Sequence, residues 1–164
     1  MEVKMKDVAQ QLRETINFVL PKLKDITDAE ASMKPQPHKW SHKEIIGHLI
    51  DSACNNQQKF VRMMQQSHLD FMGYKQDSWV ALQQYNATNW LEIIDIWEAY
   101  NCQIAHIIEH VDPSVLAHTI SIERSKPFTL KFIMTDYAEH LKHHLRQILP
   151  HVGLTSSFSN VYDA

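Results

Sequence analysis

Two histidines one helical turn apart, His140 and His144, stand among the apolar residues of a segment close to the C-terminus. Its apolar positions Ile133, Tyr137, Leu141, Leu145 and Ile148 recur three or four residues apart, the spacing of an amphipathic helix. With Tyr137 at zero and about 100° per residue, Ile133, Leu141 and Ile148 fall within about 40° of it. His140 falls at about −60° and His144 at about −20°, inside that stripe, whereas His143 lies to the side at about −120°. Two imidazoles directed where core side chains belong need partners, because an unpaired buried polar group is costly. At i and i+4 on one face they suit a shared metal ion. The plainer reading is a pair of hydrogen-bonded core histidines.

A third imidazole comes from a second helix. Ser41 followed by Glu44 is a capping box, and Trp40 and Ile45 occupy the positions of a hydrophobic staple, so a helix is expected from there to about Gln66. Its stripe contains Ile45, Leu49, Asn56, Phe60 and Met63. With Ile45 at zero, His48 lies at about −60° and Ser52 at about −20°. The face is apolar at its start and polar in the middle, as a pocket wall would be. A hydrogen-bonded core histidine is again the plainer reading of His48 alone.

With eleven histidines in 164 residues, pairs arise easily by chance, so direction has to decide between them. His38 and His42 straddle the expected helix start. On the third helix, with Trp90 at zero, His106 and His110 fall at about 160° and about −160°, the solvent face. Cys54 sits about 120° from His48 around its helix, and Cys102 is likewise off its core stripe; both read as ordinary packed thiols. No His-Glu-x-x-His, Gly-rich phosphate loop, nucleophile elbow or paired Cys-x-x-Cys occurs. That leaves His48, His140 and His144. Three neutral imidazoles leave a tetrahedral ion one open position, and such an ion activates water or a thiol and polarises a carbonyl. Asp136, Glu44 and Asp51, each one turn from a histidine of the triad, are candidates to orient the rings, with a solvated helix face as the alternative for each. Ser52, Asn55 and Asn56 are candidates to line the open position. No general base is readable, and no nucleophile of the chain's own points at the triad.

The elements that must position these groups are helical. Only three glycines, with Leu, Ile, Gln, Lys, Glu and Ala abundant, favour helix. The first helix is expected from about Val3 to Lys24, kinked or shortened at Pro21. Asp25 to Lys39 reads as a connection holding at most a short helical turn. Ser67 to Ala87 is a long crossing whose large apolar residues should pack on the domain, with Asp77 or Ser78 able to cap a short helix. Asn89 and Glu92 mark the start of the third helix, and Asp112-Pro113 ends it. From Ser114 to Phe128 alternation suggests an extended arm or a short hairpin, and Thr129 can cap the last helix. The expected fold is all-α: a four-helix bundle over residues 1–152 with a long crossing between helices two and three, and a Ser-rich tail at 153–164.

A formal charge of −3 without a basic cluster argues against nucleic acid. No apolar run reaches the roughly 18 residues of a membrane span. The N-terminus carries no apolar core of signal-peptide type, and two cysteines make no disulfide framework, so the expected setting is the cytoplasm.

The sequence resembles the DinB-like (DinB/YfiT) four-helix proteins over nearly its whole length. The resemblance is carried by Trp40, Ser41, Glu44, Ile45, His48, Leu49, Asp51 and Ser52, by Gly73-Tyr74 to Trp79, by Trp97, and by His140, His144, Gln147 and Ile148. It implies a four-helix bundle, commonly a homodimer, binding a divalent metal, usually zinc or nickel, through a triad that maps to His48, His140 and His144. It also implies small-molecule chemistry, including transfer of low-molecular-weight thiols such as bacillithiol. Lys142-His143 stands where many members carry an aspartate. The expectation is therefore a metal-dependent enzyme that transfers a small thiol to an electrophile or hydrolyses a small molecule. The alternatives are a metal-holding or sensing module without turnover and a bundle whose histidines are only hydrogen-bonded.

Overall fold

The computed structural model describes residues 4–161. Their elements are α1 (Met5–Lys24), α2 (Asp28–Ser32), α3 (His42–Gln65), β1 (His68–Phe71), α4 (Gln76–Gln83), α5 (Trp90–Glu109), β2 (Thr119–Ile122), β3 (Phe128–Thr129) and α6 (Leu130–Ile148). The long helices α1, α3, α5 and α6 form the expected four-helix bundle. Both α1 and α3 pack against α5 and α6, so the order around the bundle is α1, α5, α3, α6. Helices that follow one another in the chain, α1 then α3, therefore lie across the bundle. Leu12, Ile16, Leu49, Phe60, Trp97 and Ile104 are among the side chains that fill its centre.

The helix starts are set by their caps. Ser41 Oγ accepts from Glu44 N while the Glu44 carboxylate accepts from Ser41 N, both arms of the expected box. Ser41 Oγ also donates to Asn86 Oδ1 at 2.7 Å, tying the crossing segment to the start of α3. Asn89 accepts from Leu91 N and Glu92 N, and Thr129 from Phe132 N. The expected start of the first helix at Val3 lies outside the described residues. Pro21 does not end that helix, which continues to Lys24. A proline in the last turn removes only its own donor, and the turn is held by buried Leu23, whose carbonyl accepts from Trp90 Nε1 at 2.9 Å.

Two connections depart from expectation. Asp77 and Ser78 do not cap α4: its N-cap is Lys75, without a side-chain bond. Met72 and Leu82 in this crossing are 86% and 78% exposed, so its apolar groups pack only in part. The expected hairpin exists as β2 antiparallel to β3, and β1 adds to it in parallel, Leu69 opposite Ile120 and Phe71 opposite Ile122. That parallel partner comes from far along the chain, where local alternation carries no information about it.

Gly47 is required by a close approach. A Cβ there would lie 2.1 Å from the Tyr85 ring, which packs flat on α3. The Tyr85 hydroxyl donates to Asp51 Oδ1 at 2.6 Å, one turn further along. Residues 153–161 have no regular structure, yet they are fastened to α6: Ser156 Oγ donates to Glu139 O and Ser157 N to Glu139 Oε2, each at 2.7 Å.

Candidate metal centre

The inward-facing stripe of α6 and the matching face of α3 bring His48, His140 and His144 together. His140 Nε2 stands 3.4 Å from His48 Nε2 and 3.1 Å from His144 Nε2. A tetrahedral ion with nitrogens at 2.0–2.1 Å sets its ligand atoms about 3.3–3.4 Å apart, close to what is seen. Read as hydrogen bonds alone, both contacts fall on Nε2 of His140, and a neutral ring offers there either one hydrogen or one lone pair, so it cannot serve both well. The donor set therefore fits a divalent ion better than it fits a hydrogen-bonded cluster.

Burial keeps the three rings uncharged. It pulls His48 down to about 3, with the neighbouring His144 adding to the effect, and His144 down to about 4, with His143 adding. His140 lies well below its ordinary value, first through burial and then through His144 and His48. Neutral imidazole is the ligating form, so no proton has to leave before an ion can bind at neutral pH.

The rings are oriented by packing. Trp40 lies 5.0 Å from the His48 ring and 6.4 Å from His144, centroid to centroid. From the tail, Phe158 packs edge-on against His140 at 5.0 Å and also touches His143. The expected carboxylate orienters behave differently. Asp51 is buried but turns to Tyr85 and Gln83, which both donate to its Oδ1. Glu44 is occupied by the cap and by Lys34 Nζ at 2.8 Å. Asp136 does line the cleft at the triad, as do Ser52 and Asn56; Asn55 is buried instead and bonds Asp51 O.

The triad lines a cleft of about 850 Å³, with Lys59, Tyr74, Tyr137 and Phe158 among its other walls. A second recess of about 810 Å³, bounded by Trp40, His42, Ile45 and Gln147, meets it at His144 and Asp77. Trp40, Phe158 and Lys59 are the residues that sequence reasoning did not assign to the site. Trp40 was legible only as a staple, and the tail carries no periodicity that would direct Phe158 anywhere. His106, Glu109 and His110 form a second close group. It is exposed, as expected, and Glu109 there pairs with Arg13 at 2.8 Å. Cys54 and Cys102, expected as packed or half-buried thiols, are both exposed instead, since each lies off the core stripe of its helix; neither lines the cleft.

The chain belongs to the DinB superfamily, whose family model matches residues 11–148. Among solved structures it is similar to YfiT from Bacillus subtilis, described as "a probable metal-dependent hydrolase with an unusual four-helix bundle topology". The TM-score is 0.80 at 15% sequence identity, over 89% of this chain and 84% of that one. No curated protein sequence matches. Among the described residues no helix is long and apolar enough to cross a membrane.

Proposed function

We propose that the chain is a metal-dependent enzyme acting on small molecules, with one divalent ion, zinc or nickel, held by Nε2 of His48, His140 and His144. The observation behind this is the convergence of three uncharged imidazole nitrogens in the wall of a cleft of about 850 Å³. Three protein nitrogens leave one position for a ligand from the cleft, the pattern of catalytic rather than structural zinc. When bound, an ion there supplies Lewis-acid polarisation and lowers the pKa of coordinated water or thiol. The chain's own residues do the rest. Trp40 holds two of the rings in place, burial keeps all three ready to ligate, and Phe158 and Tyr74 narrow the approach.

Hydrolysis of a small electrophile is the first reading, supported by the description of the structurally similar YfiT. Transfer of a small thiol is the second. The cleft volume supports it, lying high in the range of about 300–1,000 Å³ usual for small-molecule sites, so that a cosubstrate fits beside the substrate. Homodimerisation and a cytoplasmic setting belong to the same proposal through the family resemblance.

Elemental analysis of untagged protein tests the centre. Wild type should carry about one ion per chain, His140→Ala should lose it and His106→Ala should keep it. The reverse pattern would move the site to the exposed pair on α5. Metal-dependent turnover of an ester and amide panel supports hydrolysis. A sulfur-to-cobalt charge-transfer band on adding glutathione, cysteine or bacillithiol to cobalt-substituted protein supports thiol transfer.

A further inference from the structure

One cleft side chain outside the triad makes no hydrogen bond or ion pair among the described residues. Lys59 stands on α3 eleven residues after His48, about 16 Å further along the helix axis, and lines the same cleft. Between them α3 presents Ser52 and Asn56, so a single helix face runs from the candidate centre to the ammonium. Lys59 Nζ lies 5.4 Å from the centroid of the Phe71 ring and makes no hydrogen bond or ion pair among the described residues. Burial draws its pKa down to about 8, against the pull of Asp136, so it remains mostly charged at neutral pH. A largely buried charge that only a carboxylate outside ion-pair distance offsets is costly, and a ligand anion in direct contact would relieve that cost.

The surroundings narrow the ligand. The cleft also holds Asp77, Glu123 and Asp136, so its carboxylates outnumber its two lysines, Lys59 and Lys75. That balance disfavours a phosphate dianion and matches a single negative charge delivered onto Nζ. The cleft walls also include Ile133, Tyr137 and Phe158, which favour an apolar spacer.

We propose that Lys59 is the recognition group for a terminal carboxylate, so that the substrates of this centre are linear carboxylates with an apolar stretch between the reacting group and the carboxylate. The inference rests on the reading of the triad as a metal centre. It makes Lys59 a specificity residue, remote from the reacting atoms.

Suberic monohydroxamic acid and its methyl ester share a metal-binding hydroxamate and a chain, and differ only at the far end. Both are titrated calorimetrically into zinc-loaded wild type, Lys59→Met and Lys59→Arg, and into His140→Ala carried through the same loading. The acid should bind wild type about tenfold more tightly than the ester, as expected for one hydrogen bond to a charged group. The preference should vanish in Lys59→Met and return in Lys59→Arg. Equal affinities in wild type, or a preference that survives in Lys59→Met, would overturn the inference. Ester binding that needs His140 would in that case leave the metal reading standing. If neither compound binds wild type, the inference falls, and the metal content of the same sample decides the metal reading separately.

Discussion

Nδ1 of His48 and of His144 is buried without a hydrogen-bond partner among the described residues, so the Trp40 ring has to do what a carboxylate bonded to a ligating histidine does elsewhere. Trp40→Ala should therefore weaken metal binding by about 10-fold or more, the usual effect of losing a ligand-orienting group, measured by competition with a chromogenic chelator. Unchanged affinity would mean that the backbone alone orients the rings. The same burial predicts a pH dependence for metal-free protein. His48 and His144 titrate at about 3 and about 4 in the fold, against about 6.5 when unfolded. In that window the unfolded chain binds more protons than the native one. Stability should therefore fall as the pH drops below about 6.5, by at most about 1.4 kcal/mol per unit for each ring, with the His144 contribution levelling off near 4 and that of His48 near 3. Urea midpoints across that range check the sign, and bound zinc should hold the midpoint up until the imidazoles protonate.

At the level of elements, α3 carries both the centre and the determinants of its own placement. Its capping box fixes where the helix starts, and hence the height of His48 in the bundle. Ser41→Ala should cost about 0.5–2 kcal/mol, toward the upper end because Asn86 loses its donor as well. A denaturation midpoint equal to wild type would rule the cap out as a determinant. One residue before His48, Gly47→Ala drives a methyl into the Tyr85 ring. Overpacking of that kind costs about 1–3 kcal/mol, against about 1 kcal/mol gained in helix propensity, so net destabilisation is expected in thermal unfolding. Loss of the Tyr85 bond to Asp51 should accompany it and leave a buried carboxylate less well satisfied.

Across the whole molecule, the end of the chain returns to the centre. Glu139 receives Ser157 N and is paired with Lys142 at 2.7 Å, and these contacts hold Phe158 over His140 and His143. Removing residues 153–164 should leave the bundle folded, because its core comes from the four long helices. It should also let a chelator strip the metal faster than from the full chain. Equal stripping rates, followed by stopped-flow absorbance, would show that the tail does not shield the site.

Periodicity alone was sufficient for the long helices, for the caps at Ser41, Asn89 and Thr129, and for the inward direction of His48, His140 and His144. Each of these depends on neighbours within about one turn, where a single sequence carries the whole interaction. The parallel pairing of β1 with β2, the order of helices around the bundle, the turning of Asp51 toward Tyr85 and the arrival of Phe158 at the site were decided by tertiary structure. They join residues far apart in the chain, and their partners are chosen by packing of surfaces that exist only once the helices have assembled.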